Sequence, residues 1–447
     1  MYCIVMQLLY TSNLKLGVAE GVSYLVSQTR TTKLKKVAEL DDPQSLSLVL
    51  DTLRTTTITS RPDVARRTGL GRAVVTKQID LGLDLKLLTE GELGESTGGR
   101  APRLLEFNKS QGFLLVAELG ATGMTLAATD LAGTIIDSVY SPIDIAVGPK
   151  KVLLEVEKYF DKLSLNLKVP LWGIGVGLPG PVEFATGILM SPPIMPGWDK
   201  YPLRERFQEK YNVPIWIDNE VNLMALGEVT INSDVNHLES LYIKIGTGIG
   251  AGIISGNKLH RGAQGSAGDI GHIAIPEPSE IVCRCGNVGC LEAVAGGAAL
   301  ARDAMEAANS GKSKFLADRL KKSLTLTAQD VTEGARNGDA WSVEAINKAG
   351  RQIGRVLATI INFYNPSLVV IGGGVASAGD LLLAAVRESV YRRSLPLATR
   401  DLEIRLGNSE QQPGLRGASE MVMSQLFTPA ILNQWAMNKK PVLPLNY

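Results

Sequence analysis

The sequence has 447 residues, of which 45% are hydrophobic and 20% charged, the usual balance of a globular protein with a sizeable core. This composition excludes a disordered chain, and no apolar run reaches the roughly 18 residues that a membrane-spanning helix requires. The net charge of +1 excludes a strong overall positive potential that would attract nucleic acid. The first 104 residues nevertheless hold a small basic surplus, with 14 basic and 11 acidic residues.

The N-terminal region gives no signal for export or membrane attachment. The apolar stretch 1–10 is short, has no basic residues ahead of it and is not followed by a clear cleavage site. We therefore expect a cytoplasmic protein without a membrane partner. Residues 1–44 show no clear hydrophobic period, and we expect them to form an N-terminal extension with no assigned role.

The segment 45–109 is predicted to begin with two short helices. The first is predicted by apolar residues at helical spacing, which are Leu46, Val49, Leu50 and Leu53. Ser60 and Asp63 have the spacing of a capping box, which indicates the start of the second helix. Gly69 suits the left-handed residue that ends this helix.

A third helix over about residues 71–81 would bury Val75 and Ile79 and turn basic and polar side chains outward. Two strands around the glycine-rich stretch 94–100 follow. The segment is therefore predicted to be a winged helix-turn-helix that places its third helix in the major groove of DNA. The predicted DNA contacts are Arg72, Thr76, Lys77, Gln78 and, on the wing, Arg100. The alternative is a small helical subdomain without a DNA role, because amphipathic helices are common.

Two similar segments, residues 114–122 and 241–250, suggest a duplicated α/β architecture with a cleft between its halves. Each is an apolar strand that runs into a Gly/Thr turn and then into a second strand. Glycine lets the backbone of such a turn approach a ligand closely, so that its N–H groups can bind phosphate oxygens. The predicted phosphate-turn residues are Gly120, Thr122, Gly246, Thr247 and Gly248. A third glycine cluster at 372–374 suits either a nucleotide site or a tight turn.

Three of the four cysteines lie within eight residues, which is typical of a metal site or a redox pair rather than of a secreted disulfide framework. With a nearby histidine they make the Cys₃His set of a closed tetrahedral zinc site. The predicted ligands are His272, Cys283, Cys285 and Cys290. The alternative is a group of buried thiols without a metal.

At these residues the sequence resembles the ROK family, which comprises repressors, sugar kinases and unclassified relatives. The family signature pairs Glu-x-Gly-His with Cys-x-Cys-Gly-x-x-Gly-Cys-x-Glu. Here these motifs correspond to residues 269–272, with Asp at the first position, and to residues 283–292. Further matching segments are 177–181, 196–199, 218–222 and the two phosphate turns, so the resemblance covers about residues 45–425.

The resemblance implies an α/β fold, in which a winged helix-turn-helix is followed by a two-lobed actin/hexokinase-like ATPase fold. Four parts are expected after the N-terminal extension. They are the DNA-binding domain at 45–109, a small lobe at 110–225 that a C-terminal helix completes, a large lobe with the zinc site at 226–430 and a C-terminal tail at 431–447.

The resemblance also implies a pocket for a hexose or an amino-sugar. The residues that match the sugar-binding positions of the family are Asn219, Glu220, Asp269, His272 and Glu292. His272 would be shared between zinc and sugar, so a structural zinc ion would set the orientation of the sugar pocket.

Three acidic residues separate this sequence from the kinase pattern of the family. Glu118 and Glu220 stand where the kinases carry Asp, and Asp269 stands where they carry Glu. Each change moves a carboxylate by one methylene, and a misplacement of about 1 Å costs phosphoryl transfer about a hundredfold in rate. We therefore expect no catalytic residue, with Glu220 at a vestigial base position and the use of ATP and Mg²⁺ in doubt. The alternative is an active ATP-dependent sugar kinase, in which a shift of the backbone at Glu220 offsets the extra methylene and lets this carboxylate serve as the base.

The N-terminal domain favours a regulator, because the kinases of the family lack it and the regulators carry the wing sequence seen here at 96–100. The predicted function is that of a sugar-responsive transcriptional repressor. It would be a homodimer or homotetramer that binds double-stranded operator DNA and a small sugar or sugar-phosphate. Gly71 replaces the usual Ser of the family, which removes a side-chain cap from the third helix. A further alternative is a ligand-independent DNA-binding protein whose remaining chain serves only for dimerisation.

Overall fold

The structure is a computed structural model that describes residues 43–56, 59–93, 103–231 and 238–444. Nearly all of the expected N-terminal extension and the wing stretch 94–100, with its Arg100, lie outside these residues. None of the helices in the described part is long and apolar enough to cross a membrane.

The N-terminal segment (residues 43–107) contains three helices and three short strands. These are α1 (Pro43–Thr55), β1 (Thr59–Ser60), α2 (Arg61–Thr68), α3 (Arg72–Asp84), β2 (Leu88–Leu93) and β3 (Arg103–Phe107). The strand β3 lies between β1 and β2 and pairs antiparallel with both. The segment therefore consists of three helices and a small three-stranded sheet, and α3 leads along the chain into strand β2 of that sheet.

Local sequence signals account for these helices. Each predicted apolar residue of α1 is at most 2% exposed. At the start of α2 the Ser60 hydroxyl accepts a hydrogen bond from the Asp63 N–H, and the Asp63 carboxylate accepts one from the Ser60 N–H. Gly69 then ends α2 in the left-handed conformation, with φ at 69°. The predicted capping box and glycine turn are confirmed.

The first lobe (residues 113–219) is built on a five-stranded sheet. Its elements are β4 (Phe113–Leu119), β5 (Gly123–Asp130), β6 (Ile135–Pro142), α4 (Pro149–Ser164), β7 (Leu171–Leu178), β8 (Val182–Glu183), β9 (Ile188–Leu189), α5 (Leu203–Tyr211) and β10 (Ile215–Asn219). The strand order is β10-β7-β4-β5-β6, and β8 and β9 form a separate small hairpin. Helix α6 (Glu220–Ile231) follows β10 directly.

The second lobe (residues 239–406) is built on another five-stranded sheet and carries seven of the fifteen α-helices in the described residues. Its elements are β11 (Glu239–Ile245), β12 (Ile249–Ser255), β13 (Lys258–His260), α7 (Leu291–Ala295), α8 (Gly297–Asn309), α9 (Lys314–Ser323), α10 (Ala328–Arg336), α11 (Ala340–Tyr364), β14 (Leu368–Gly372), α12 (Asp380–Arg393), α13 (Pro396–Thr399) and β15 (Glu403–Leu406). The strand order is β13-β12-β11-β14-β15. The chain continues with α14 (Pro413–Leu426) and α15 (Pro429–Asn438).

The two large sheets have the same topology. In each, the first strand lies in the middle, pairs antiparallel with the second strand and parallel with the fourth. The central strands β4, β7, β11 and β14 are buried along nearly their whole length, as in sheets with both faces covered. The predicted duplicated α/β architecture is confirmed.

Helices α6 and α14 lie in backbone contact beside the two sheets. A Cβ atom at Gly227 would lie 1.8 Å from the carbonyl oxygen of Pro413. A Cβ atom at Gly417 would lie 1.8 Å from the carbonyl oxygen of Leu223. Both positions need glycine because the backbones meet there. Helix α14 also packs against β4 and β7, and the expected lobe boundary at residue 225 falls inside the continuous helix α6.

The expectation of a C-terminal tail at 431–447 is wrong for its first part, because this part belongs to helix α15. Leu432 and Trp435 are fully buried on one face of the helix. The Trp435 ring packs edge-on against the rings of Trp172 and Phe427, at centroid distances of 5.3 and 6.1 Å. Burial of two large apolar side chains, which sit one helical turn apart, keeps this end of the chain folded onto the protein.

Candidate functional site

A cleft of about 960 Å³, a volume that includes space open to solvent, lies where the first lobe, α6 and the second lobe meet. All the residues predicted to bind sugar line it, namely Asn219, Glu220, Asp269, His272 and Glu292. The second predicted phosphate turn, residues 246–248, lines the same cleft. Gly120 and Thr122 of the first turn do not line it, although Ala121 between them does.

Asn219 ends strand β10, and its side chain is fixed by the surrounding backbone. Its amide nitrogen donates to the Gly180 carbonyl oxygen at 3.0 Å, and its side-chain oxygen accepts from the Val221 N–H at 2.8 Å. The second of these bonds satisfies an N–H in the first turn of α6. The strand-to-helix junction therefore holds Asn219 and its neighbour Glu220 at the cleft wall.

Asp218, one residue earlier, connects the two lobes. It is 1% exposed and accepts a hydrogen bond from Arg261 Nε at 2.7 Å. Arg261 follows β13 in the second lobe, and its guanidinium lies 3.7 Å from the centroid of the Phe184 ring. Sequence reasoning did not identify Arg261, because the partners of this side chain are more than forty residues away in the chain.

Glu220, at the predicted vestigial base position, forms an ion pair with Lys244. Glu220 Oε1 lies 2.5 Å from Lys244 Nζ, and the two side chains are 8% and 16% exposed. The other oxygen, Oε2, is buried and has no hydrogen-bond partner in the described part of the chain. Lys244 was missed by the sequence analysis, although a charged residue near the end of strand β11, between two isoleucines, was a usable signal.

Glu118 lies at the end of β4, close to this pair. Its carboxyl group packs against the start of α14, where a Cβ atom at Gly414 would lie 1.8 Å from Oε2. Burial raises the pKa of Glu118 to about 7; the charge of Lys244 lowers this pKa and that of Glu220 raises it. Two carboxyl groups and one ammonium group therefore share one desolvated region.

Asp269, His272 and Glu292 face the same cleft from the second lobe. Burial raises the pKa of Asp269, while the nearby His272 lowers it. Glu292 lies against the second phosphate turn, since a Cβ atom at Gly248 would be 2.4 Å from its Oε2. These side chains offer hydrogen-bond donors and acceptors suited to the hydroxyl groups of a polyol.

The four predicted zinc ligands lie together, with donor atoms within 4.8 Å of one another. Donors around a tetrahedral zinc ion at Zn–S distances of about 2.3 Å are separated by about 3.8 Å. The Sγ atoms of Cys285 and Cys290 are 3.7 Å apart, and so are Cys283 Sγ and His272 Nδ1. A hydrogen bond from the Asn287 backbone lowers the pKa of Cys285 to about 7, whereas burial raises the pKa values of Cys283 and Cys290. A bound metal ion would favour the thiolate form of all three. The cluster fits a zinc ion.

The outer face of α3 carries most of the predicted DNA contacts. Arg72, Thr76 and Lys77 are exposed. The prediction for Gln78 is wrong, because its side chain is 2% exposed and lies on the inner face of the helix, beside the buried Ile79. Gly71 occupies the N-cap position of α3 and makes no side-chain hydrogen bond there, because glycine has no side chain.

Comparison with known proteins shows similarity to both regulators and kinases. The model of the ROK family matches residues 115–425. The xylose repressor of Caldicellulosiruptor bescii is 30% identical over 404 residues, which cover 89% of this chain and 98% of the repressor. The glucokinase of Halalkalibacterium halodurans is 33% identical over 311 residues, which cover 69% of this chain and 94% of the glucokinase.

A similar result comes from solved structures. The crystal structure of a ROK family transcriptional regulator, a homologue of the E. coli MLC protein, matches with a TM-score of 0.73 and 26% identity. The match covers 89% of this chain and 100% of that regulator. Only 338 residues follow residue 109, so a match of this extent includes part of the N-terminal segment.

Proposed function

The chain belongs to the ROK family, and from this premise we propose that it is a sugar-responsive transcriptional repressor that binds operator DNA. The observation that carries the proposal is the extent of the similarity to regulators, which reaches into the N-terminal segment. The similarity to the glucokinase spans 69% of the chain and fits within the two lobes and the C-terminal helices.

In this proposal the N-terminal segment is a winged helix-turn-helix. Helix α3 would enter the major groove with Arg72, Thr76 and Lys77, which are exposed on its outer face. The hairpin of β2 and β3 would carry the wing. Residues 45–104 hold only 9 basic and 7 acidic residues, so each chain would neutralise few phosphates. Tight binding would then need two N-terminal segments on one duplex, supplied by a homodimer or homotetramer.

The effector would be a small sugar or sugar-phosphate held in the cleft. Asn219, Glu220 and Asp269 supply amide and carboxylate groups at its wall, and they are joined by His272 and Glu292. A zinc ion bound by His272, Cys283, Cys285 and Cys290 would fix the orientation of the histidine ring. The zinc would serve as a structural ion, and sugar recognition would rest on the side chains of the chain itself.

Sugar binding would reach the DNA-binding segment through α6 and α14. Glu220 is the first residue of α6, and α6 meets α14 in backbone contact at Gly227 and Gly417. Helix α14 in turn holds α1, because Arg54 donates hydrogen bonds to both carboxylate oxygens of Glu420. A sugar that binds one cleft geometry more tightly than another would shift the equilibrium between two positions of α1 and α3. The size of this shift is set by the difference between the two affinities.

A second candidate function, ATP-dependent sugar phosphorylation, is favoured by the 33% identity with the glucokinase. The ion pair between Glu220 and Lys244 argues against it, because Lys244 occupies one carboxylate oxygen of the residue at the base position and the other oxygen is buried. A coupled ATP assay over hexoses and acetylated amino-sugars should show little activity above background. Turnover in the usual kinase range, about 1 to 100 per second, would make the kinase the primary function.

The regulator is tested by fluorescence anisotropy with duplexes from the upstream region of its own gene, at several salt concentrations. Lys77→Ala is expected to weaken all duplexes alike and to flatten the salt dependence. If Arg72 contacts a base edge, Arg72→Ala should reduce the free energy of binding by about 1–3 kcal/mol for duplexes with the preferred base pair. It should also weaken the preference for that base pair over the others. Lys150→Ala, a change of an exposed lysine in α4, is the matched control and should have no effect. Equal losses in all three variants would contradict the assigned role of α3.

A further inference from the structure

The cleft is acidic and contains a single strong cation. Among the described residues that line it, Lys244 is the only lysine or arginine, whereas Glu220, Asp269 and Glu292 all contribute carboxyl groups. Lys244 lies on β11, next to the turn 246–248. Lys244 is only 16% exposed and lies between two isoleucines of β11, and this position needs a reason, because an ammonium group loses hydration when it leaves water.

The ion pair with Glu220 supplies part of that reason. The Nζ–Oε1 distance of 2.5 Å joins two side chains that are at most 16% exposed. The lysine side chain runs along the turn, since its Cε lies 3.3 Å from the position of a Cβ atom at Gly246. Packing on one side and the ion pair on the other hold the ammonium group at one point of the cleft.

Lys244 also acts on the facing lobe. Its charge lowers the pKa of Glu118, which burial and the charge of Glu220 raise. Glu118 belongs to β4 of the first lobe, Glu220 to α6 and Lys244 to β11 of the second lobe. The charge of Lys244 therefore favours the ionised form of Glu118, whereas burial, the larger effect, favours the neutral form.

We propose that Lys244 is the resident cation of the cleft. Its ammonium group holds Glu220 in place as an acceptor for a sugar hydroxyl, and it supplies the positive charge beside Glu220 that a divalent cation would otherwise supply. Glu118 lies near this pair, because it is the register partner of Gly177, where a Cβ atom would lie 3.3 Å from Glu220 Cα. Since Oε2 of Glu220 is buried, the sugar hydroxyl would be accepted by Oε1, which has a lone pair beyond the one that faces Lys244. The role of Glu220 as a sugar acceptor rests on the proposed function. The exclusion of a divalent cation depends only on the residues of the cleft and not on the proposed function.

The physical basis of this exclusion is simple. Carboxylate oxygens are the ligands that Mg²⁺ and Mn²⁺ prefer, so Glu220, with Glu118 nearby, would attract such an ion if Lys244 were absent. The ammonium group of Lys244 already supplies the positive charge and repels a second cation. The sugar site would therefore work without Mg²⁺ or ATP, and Lys244 is a positioning residue that separates this chain from a metal-dependent kinase.

The test is a titration of zinc-loaded protein with Mn²⁺ alone, with free Mn²⁺ measured by electron paramagnetic resonance. Wild type and the Glu220→Gln variant should bind Mn²⁺ equally weakly. Lys244→Met should bind one Mn²⁺ at least about tenfold more tightly than wild type, because a unit charge has been removed from beside two carboxylates. The double variant Lys244→Met/Glu220→Gln should lose this gain, and Lys244→Arg should behave like wild type.

Lys258→Met, a change of an exposed lysine on β13, is the matched control and should leave Mn²⁺ binding unchanged. A wild-type protein whose Mn²⁺ binding is weakened by Glu220→Gln would overturn the proposal, and so would a folded Lys244→Met variant without the gain. If Lys244→Met does not fold, the comparison of wild type with Glu220→Gln still decides. Because neither sugar nor DNA is present, a failure of the regulator hypothesis would leave this result unaffected.

Discussion

Arg54 joins the N-terminal segment to the C-terminal helix α14, and its replacement should loosen that segment. Its guanidinium donates hydrogen bonds to Glu420 Oε2 at 2.6 Å and to Oε1 at 2.9 Å. The Arg54 and Glu420 side chains are 4% and 16% exposed, so the pair is removed from most of the solvent. Loss of one partner of a buried pair costs about 3–5 kcal/mol, because the other charge stays buried without compensation.

Arg54→Met is therefore expected to lower the free energy of opening of the N-terminal segment by about 3–5 kcal/mol. Native-state hydrogen exchange of the α1 amides measures this quantity directly. The double variant Arg54→Met/Glu420→Met should recover most of the loss, because no buried charge then remains unpaired. Asp51, which also accepts a hydrogen bond from Arg54, is 43% exposed and stays solvated in this variant. Arg61→Met is the matched control: Arg61 pairs with Asp80 and is 30% exposed, so less than about 1 kcal/mol should be lost.

Two results would refute this reasoning. One is a loss in Arg54→Met no larger than that in the Arg61→Met control. The other is a double variant that is less stable than Arg54→Met alone, which would show that the carboxylate of Glu420 has other essential partners.

Three further predictions concern the zinc cluster, the contact of α6 with α14, and Glu118. Protein purified without chelator should contain close to one zinc per chain by elemental analysis, and Cys285→Ser should lose most of it; full occupancy in a triple Cys→Ser variant would contradict the ligand set. Gly417→Ala should cost at least about 1–3 kcal/mol in urea unfolding, because its Cβ would lie 1.8 Å from a carbonyl oxygen, whereas Gly374→Ala, with nothing within 4 Å, should be nearly neutral. Equal effects of the two glycine variants would be incompatible with the close contact. Burial raises the pKa of Glu118 to about 7 in the folded state, so its ionisation weakens the fold as the pH rises from below 4.5 through about 7. Glu118→Gln should thus be more stable than wild type above about pH 7, by a margin that shrinks as the pH falls; a margin independent of pH would contradict the raised pKa.

The helices of the N-terminal segment were predictable because their signals are local. The capping box of Ser60 and Asp63 and the glycine turn at Gly69 lie within ten residues, and the structure has both. The duplicated sheets were predictable from two similar strand-and-turn segments. The zinc cluster was predictable because three of its four ligands are close in the chain.

The errors and omissions have a common physical origin, since they depend on contacts between distant parts of the chain. Gln78 is polar, and only the packing of α3 on α1 shows that it is buried. Helix α15 gains its stability from Trp172, more than two hundred residues earlier. Lys244 and Arg261 acquire their roles from carboxylates on other elements, which no sequence spacing reveals.

The most direct test of the regulator hypothesis is the binding of wild-type, zinc-loaded protein to duplexes from its own upstream region, with scrambled duplexes as the reference. Binding is measured by fluorescence anisotropy at fixed salt, with and without D-xylose, D-glucose, N-acetylglucosamine and the phosphate esters of these sugars. The account predicts a preference for one upstream duplex, which one of the sugars or its phosphate weakens at a concentration that leaves binding to scrambled DNA unchanged. No preference over scrambled DNA under any of these conditions would contradict it.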